Sequence, residues 1–231
     1  MEGVKPMRVR GIKLTAIEPI NYYYQPSGRG NRSSQFIGDI ALKYAMLHQL
    51  GIDNIPFTNR FKPEYEELKR YNFWFSVAVP GFMAGLDEGN IELFKPLIRN
   101  TLQGIDYNGS NVHPAIKVGQ VMYKNFYFQQ PIKPGSKFYA IILDDGKWPL
   151  PQVLRVGTGK TGVLKIEEIE PEGIKIYINL YTLRNIISLD INKLQNIKME
   201  FSEHVVLQYF IAGPINIEQF ISLYLEALNG L

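Results

Sequence analysis

The chain has 231 residues, 45% apolar and 20% charged, ordinary figures for a soluble globular protein and long enough to bury a real core. It contains no cysteine, which excludes a disulfide frame, a thiolate nucleophile and any cysteine-based metal site. A net charge of +3 does not imply a nucleic-acid partner by itself, yet residues 1–50 carry 7 Lys/Arg against 3 Asp/Glu, residues 117–165 carry 8 against 2, and residues 166–231 carry 4 against 9.

From the N-terminus, MEGVKPMRVRGIKL lacks a signal-peptide core, and nothing in the chain approaches the roughly 18 apolar residues of a membrane span. A cytoplasmic protein without a membrane partner is expected. Residues 7–17 predict a strand, with Ile12, Leu14 and Ala16 on one face and Arg8, Arg10 and Lys13 mostly away from it. NYYYQPSGRGNRSS then reads as a loop. It combines Tyr22, Tyr23 and Tyr24 with Arg29 and Arg32, rings that stack unpaired bases beside guanidiniums that pair phosphates, the composition of a site for single-stranded RNA or DNA. The same tyrosines would equally serve by packing under the loop.

Ser33 or Ser34 can cap a helix predicted over about 35–50, whose apolar residues recur at helical spacing and whose stop is Gly51. Its N-terminal amides favour a phosphate, although ordinary capping needs no ligand, and Lys43 is expected on its exposed face. Next come a buried strand over 73–79, ended by Pro80-Gly81, and a helical reading of 90–103 weakened by Pro96. From 116 onward the chain is strand-rich, with candidates at 116–129, 137–143, 151–156, 162–169, 174–182 and 204–211. INIEQFISLYLEALNG closes it as an amphipathic helix through Ile217, Phe220, Ile221, Leu223, Tyr224 and Leu228. The order predicts an α+β fold.

The segment RVGTGKTGVLK suggests a phosphate-cradling P-loop, but Leu154 stands where the first glycine belongs, and a strand rather than a helix is predicted after it. What remains is a basic, Gly-rich turn between strands, suited to a phosphate through Arg155, Gly157, Gly159 and Lys160. Lys133, Lys137, Lys147 and Lys165 join these two cations on consecutive strands and turns, where neighbouring strands would line a groove with charge.

Catalytic chemistry finds less support. His48 falls late in a helix, His113 precedes Pro114, His204 opens a strand, and none has a second histidine or a carboxylate at metal-ligand spacing. A metal-free ribonuclease built from His48, Tyr23 and Lys43 is conceivable in acid–base terms. Asp144-Asp145 before Gly146 reads as a turn rather than a metal pair. No catalytic residue, metal or cofactor is expected.

Two segments carry a family resemblance. GRGNRSSQFIGDIALKYAM resembles a Gly-containing loop followed by a helix of the form I-G-(N/D)-x-A-L-x-Y-A, here Ile37 to Ala45, and LPQVLRVGTGKTG resembles a strand ending V-x-R-x-G before a basic turn, here Val153 to Gly157. The chain is thereby identified as similar to the Cas-five-type subunit of the subtype I-D CRISPR surveillance complex, Cascade (the Csc-one family, RAMP superfamily). The likeness spans most of the chain except about 52–115. It implies a single RAMP-type domain over 1–231. An RRM or ferredoxin-like core with an antiparallel sheet would occupy about 7–145, with a protruding β-hairpin, and a strand-rich part ending in a helix about 146–231. It also implies a non-catalytic subunit that clamps the 5′ handle of the crRNA and meets the Cas-seven-type backbone and a Cas-ten-like large subunit. Target DNA near the PAM is a further candidate partner. A separate Cas-six-type endonuclease would process the precursor. On this reading Tyr22, Tyr23 and Tyr24 stack or pack handle nucleotides, Arg29, Arg32, Arg155 and Lys160 contact phosphates, with Lys43 nearby, and Gly157 and Gly159 admit the backbone.

Overall fold

The computed structural model describes residues 7–21, 26–27, 30–52, 65–86, 97–98, 128–157, 160–190, 197–203 and 209–229. In chain order the elements are β1 (Arg8–Ala16), β2 (Pro26–Ser27), β3 (Gly30–Arg32), α1 (Asp39–Gln49), a 3-10 turn at Tyr65–Arg70, β4 (Phe73–Phe75), β5 (Val79–Pro80), α2 (Gly81–Ala84), β6 (Leu97–Ile98) and β7 (Phe128–Gln130). There follow β8 (Lys137–Asp144), β9 (Val153–Val156), β10 (Gly162–Ile169), β11 (Ile176–Asn179), a wide helical turn at Thr182–Ile186, β12 (Met199–Glu203), β13 (Tyr209–Ile215) and α3 (Ile217–Asn229). The α+β class expected from the sequence is the class observed.

The principal sheet runs β4-β8-β1-β10-β9, antiparallel throughout, with β5 also paired to β8. Period-two alternation in β1 explains its central place: Ile12, Leu14 and Ala16 are buried while Lys13 and Thr15 are partly exposed. Strands β1 and β4 run in the same direction on either side of β8, so β1–α1–β4 is a split β-α-β crossover of the kind a ferredoxin-like sheet contains. Between β8 and β10, where such a fold has its second crossover helix, this chain makes the edge strand β9 instead.

Helix α1 touches both β4 and β9, from opposite ends of the strand order, so the sheet curls around it. Leu42, Met46 and Leu47 are fully buried, and each contributes about 1.5–3 kcal/mol by leaving water. The helix begins at Asp39, later than its apolar periodicity suggests, with Gly38 as an N-cap that makes no side-chain bond. The reason lies in tertiary pairing: Ile37 exchanges backbone hydrogen bonds with Ala78 (2.9 and 3.0 Å), which holds it extended, and Ser34 Oγ caps a local turn by accepting from the Phe36 N–H. Gly51, at φ +74, ends the helix as expected.

A second sheet, β11-β13-β12, leads from β13 into α3, whose Phe220, Leu223 and Tyr224 are buried. Tyr224 packs against Trp74 of β4 with ring centroids 5.9 Å apart. A third, small sheet runs β2-β3-β7-β6.

Several expectations change. The strand expected over 73–79 is interrupted, because the Val77 N–H donates to the Tyr177 carbonyl and Ser76 Oγ accepts from the Ile141 N–H. Of the helix expected at 90–103, Leu97–Ile98 is a strand paired with β7, and the remaining residues lie outside the described ones. The strands expected at 116–129 and 204–211 are described only from Phe128 and Tyr209. The 174–182 strand stops at Asn179, whose Oδ1 accepts from the N–H groups of Tyr181 and Phe210 and so turns the chain. Strand β12 was not expected. Arg10 shares the parity of Ile12 and is buried rather than turned away, paired with buried Asp144.

Candidate nucleic-acid interface

The two sequence segments singled out above meet in space. β9 and β10 form a hairpin with Val163 opposite Arg155 and Gly162 opposite Val156, and its turn folds back on the chain that leaves β1. Gly157 stands at φ +79, and a Cβ there would lie 2.7 Å from the Asn21 carbonyl oxygen and 3.3 Å from Ile20 Cγ2. A Cβ on Gly162 would lie 2.8 Å from Ile20 Cγ1. Any side chain at these positions would drive the turn off residues 20–21. Ile20 is itself held by a backbone bridge to Ile132, and Ser33 Oγ donates to the Ile20 carbonyl, so both ends of the 21–33 segment are anchored beside the hairpin.

Within the turn the Lys160 N–H donates to the Gly157 carbonyl at 3.0 Å, and Lys160 sits at φ +54 with its side chain exposed. Arg155 is exposed on β9. A strand follows the turn, as expected: β10 starts at Gly162, so no helix N-terminus faces the glycines and the P-loop reading fails on geometry as well as spacing. The close approach that Gly157 permits is to Asn21 of the same chain.

Arg32 ends β3, where it is in register with Gln130, so the segment read as loop contains a small ribbon in which Pro26–Ser27 pairs with Gly30–Asn31. Tyr22, Tyr23, Tyr24, Arg29 and Gly159 lie outside the described residues.

Lys43 is the clear correction. It is 1% exposed, its Nζ donates to the Tyr71 carbonyl at 2.8 Å, and it sits 3.2 Å from the centroid of the Trp74 ring. Burial holds its pKa well below the usual lysine value, with Asp39 acting in the opposite direction. Periodicity placed it on the free side of an isolated helix, but the curled sheet and β4 cover that side too. Asp39, one turn earlier, is likewise buried and accepts from Asn179 Nδ2 (3.0 Å) and Thr182 Oγ1 (2.5 Å), which pins α1 to the end of β11. Burial raises its pKa to about 6, against the lowering effect of those hydrogen bonds.

Among the described residues no three His, Cys, Asp or Glu side chains gather where they would hold a metal ion. His48 is in the last turn of α1, and His113 and His204 lie outside the described residues. Asp144 accepts from Arg10 and from the Gly146 N–H, and Asp145 accepts from the Lys147 N–H, the turn geometry expected of this pair. Of the remaining lysines, Lys137 and Lys165 flank Thr15 in register, Lys133 stands at the same end of the sheet, and Lys147 follows β8 at the opposite end. Lys13 lies on the face of Lys137 and Lys165; strand alternation alone could have found it. No described helix is long and apolar enough to cross a membrane.

A family model described as "Type I-D CRISPR-associated protein Cas5/Csc1" matches residues 7–219. Comparison with curated proteins gives no match. Among solved structures, the chain is similar to one in the "Cryo-EM structure of the Type III-B Cmr-beta bound to cognate target RNA and AMPPnP, state 1", at 12% identity, covering 87% of this chain and 83% of that one with a TM-score of 0.39.

Proposed function

Because the chain belongs to the type I-D CRISPR-associated Cas5/Csc1 family, we propose that it is the subunit that holds the 5′ handle of the crRNA in the type I-D surveillance complex, without cutting it. The observation that carries this reading is the contact of Gly157 with Asn21, which sets the Arg155–Lys160 turn beside the entry to the Tyr22–Arg32 segment. Arg155 and Lys160 offer exposed cations to phosphates, and Arg29 and Arg32 would add theirs. Tyr22, Tyr23 and Tyr24 would supply faces for unpaired bases. Its neighbours would be a Cas-seven-type backbone subunit and a Cas-ten-like large subunit, target DNA near the PAM would be a further partner, and the acidic stretch 166–231 suits a protein contact.

An endoribonuclease built on His48, Tyr23 and Lys43 is disfavoured by the position of Lys43, whose ammonium is spent on the Tyr71 carbonyl beneath Trp74. The test is a mobility shift of the chain with handle RNA across a salt series. Wild type should bind more weakly as salt rises, and Arg155→Ala with Lys160→Ala should weaken binding and lower the salt slope by roughly 1 to 2. Salt-independent binding, an unaffected double variant, or cleavage of repeat RNA with and without EDTA would overturn the proposal.

A further inference from the structure

The outer side of the principal sheet is open near the turn and closed farther along. Antiparallel register puts Arg155 and Val163 in one row, Val153, Lys165, Thr15 and Lys137 in the next, and Glu167, Lys13 and Tyr139 in the third. Arg155 and Lys165 are exposed, Lys13, Lys137, Val153 and Val163 partly so, and from Tyr139 to Leu143 the same side of β8 is buried. Among the described residues the open half therefore presents four cations and one carboxylate.

Glu167 shows what this surface attracts. Its carboxylate lies 3.0 Å from Lys165 Nζ and 4.0 Å from Lys13 Nζ. Its pKa is lowered first by the Lys165 hydrogen bond and charge, with smaller contributions from Lys13 and Lys137. Lys165 and Lys13 thus both meet one anion, and with Lys137 and Arg155 on the same face cations outnumber carboxylates there among the described residues. No exposed aromatic ring accompanies them there among the described residues, since Tyr139 is 3% exposed. Among the described residues the surface offers cations to hold phosphates and no ring to stack bases.

We propose that this face is a second, base-independent phosphate track, taking single-stranded RNA that continues past the turn. The inference rests on the function proposed above. Continuity favours RNA as occupant: Arg155 and Lys165 stand on the two strands that the Gly157–Lys160 turn joins, so a strand whose phosphates meet Lys160 is already beside them.

The experiment compares a short RNA of handle length with one carrying an unstructured extension, each titrated with the full chain at several salt concentrations. In the variant Lys13→Gln, Lys137→Gln, Lys165→Gln, binding of the short RNA should stay within roughly twofold of wild type. Affinity for the long RNA should fall roughly tenfold and its salt slope by roughly 2. Glu167→Gln, which removes the competing anion, should strengthen binding of the long RNA, a gain that misfolding cannot imitate. Equal effects on both RNAs, an unchanged slope, or no gain from Glu167→Gln would overturn the track. Wild type that binds neither RNA would remove the function proposed above and this inference with it. A triple variant that binds both RNAs normally but loses an acidic protein partner would assign the face to that protein.

Discussion

Gly157→Ala tests the contact on which the interface is built. At φ +79 an alanine costs about 1–2 kcal/mol in backbone strain alone. Its Cβ would also sit 2.7 Å from the Asn21 carbonyl oxygen, a backbone atom fixed by the Ile20–Ile132 bridge, so the turn itself must move. Forcing an extra methyl into such a contact adds about 1–3 kcal/mol. Gly146 provides an internal control: it has nearly the same φ, +76, with nothing within 4 Å of a Cβ. Gly146→Ala should carry the strain without the clash. At about 3 °C per kcal/mol for a chain of this size, Gly157→Ala should melt roughly 3–9 °C below Gly146→Ala in a thermal scan. Handle affinity should drop in the first variant and hold in the second, because only the first moves Arg155 and Lys160 relative to residues 20–33. Equal melting temperatures, or wild-type RNA binding by Gly157→Ala, would refute the reasoning.

Lys43→Met should leave handle affinity within roughly twofold of wild type in the same mobility shift while Arg155→Ala lowers it, because a buried ammonium neutralises no phosphate. The pKa of Asp39, raised to about 6 from an ordinary 3.8, makes the neutral carboxyl the form the fold prefers. Its favourable contribution is complete below about 3.8, is lost as pH rises through 6, and amounts to about 3 kcal/mol. Asp39→Asn keeps partners for Asn179 and Thr182 but cannot titrate, so urea midpoints measured at about pH 4 and about pH 7 should differ less than in wild type. Asp144→Ala strands the Arg10 guanidinium, 3% exposed, at a cost of about 3–5 kcal/mol. Arg10→Met with Asp144→Leu should recover most of that loss in urea unfolding, since the pair stabilises far less than either charge left alone would cost.

Sequence alone determined the parts of this protein whose causes are local. Alternation in MRVRGIKLTAI set the central strand, GVLKIEEI after the turn declared a strand rather than a phosphate-binding helix, and the spacing of Phe220, Leu223 and Tyr224 set the closing helix, because each pattern is complete within a few residues. The family could be read for the same reason, from two contiguous runs. Tertiary structure decided whatever depends on a partner distant in the chain. Ile37 looked helical until Ala78 paired with it, Lys43 looked exposed until β4 covered it, and Arg10 looked outward until Asp144 neutralised it. The interface belongs to this second class. Nothing in RVGTGKTG says that Gly157 lies against Asn21, or that Lys13, Lys137 and Lys165 share a face. Hydrophobic periodicity reports which side of an element is buried, while strand order and register decide which elements are neighbours.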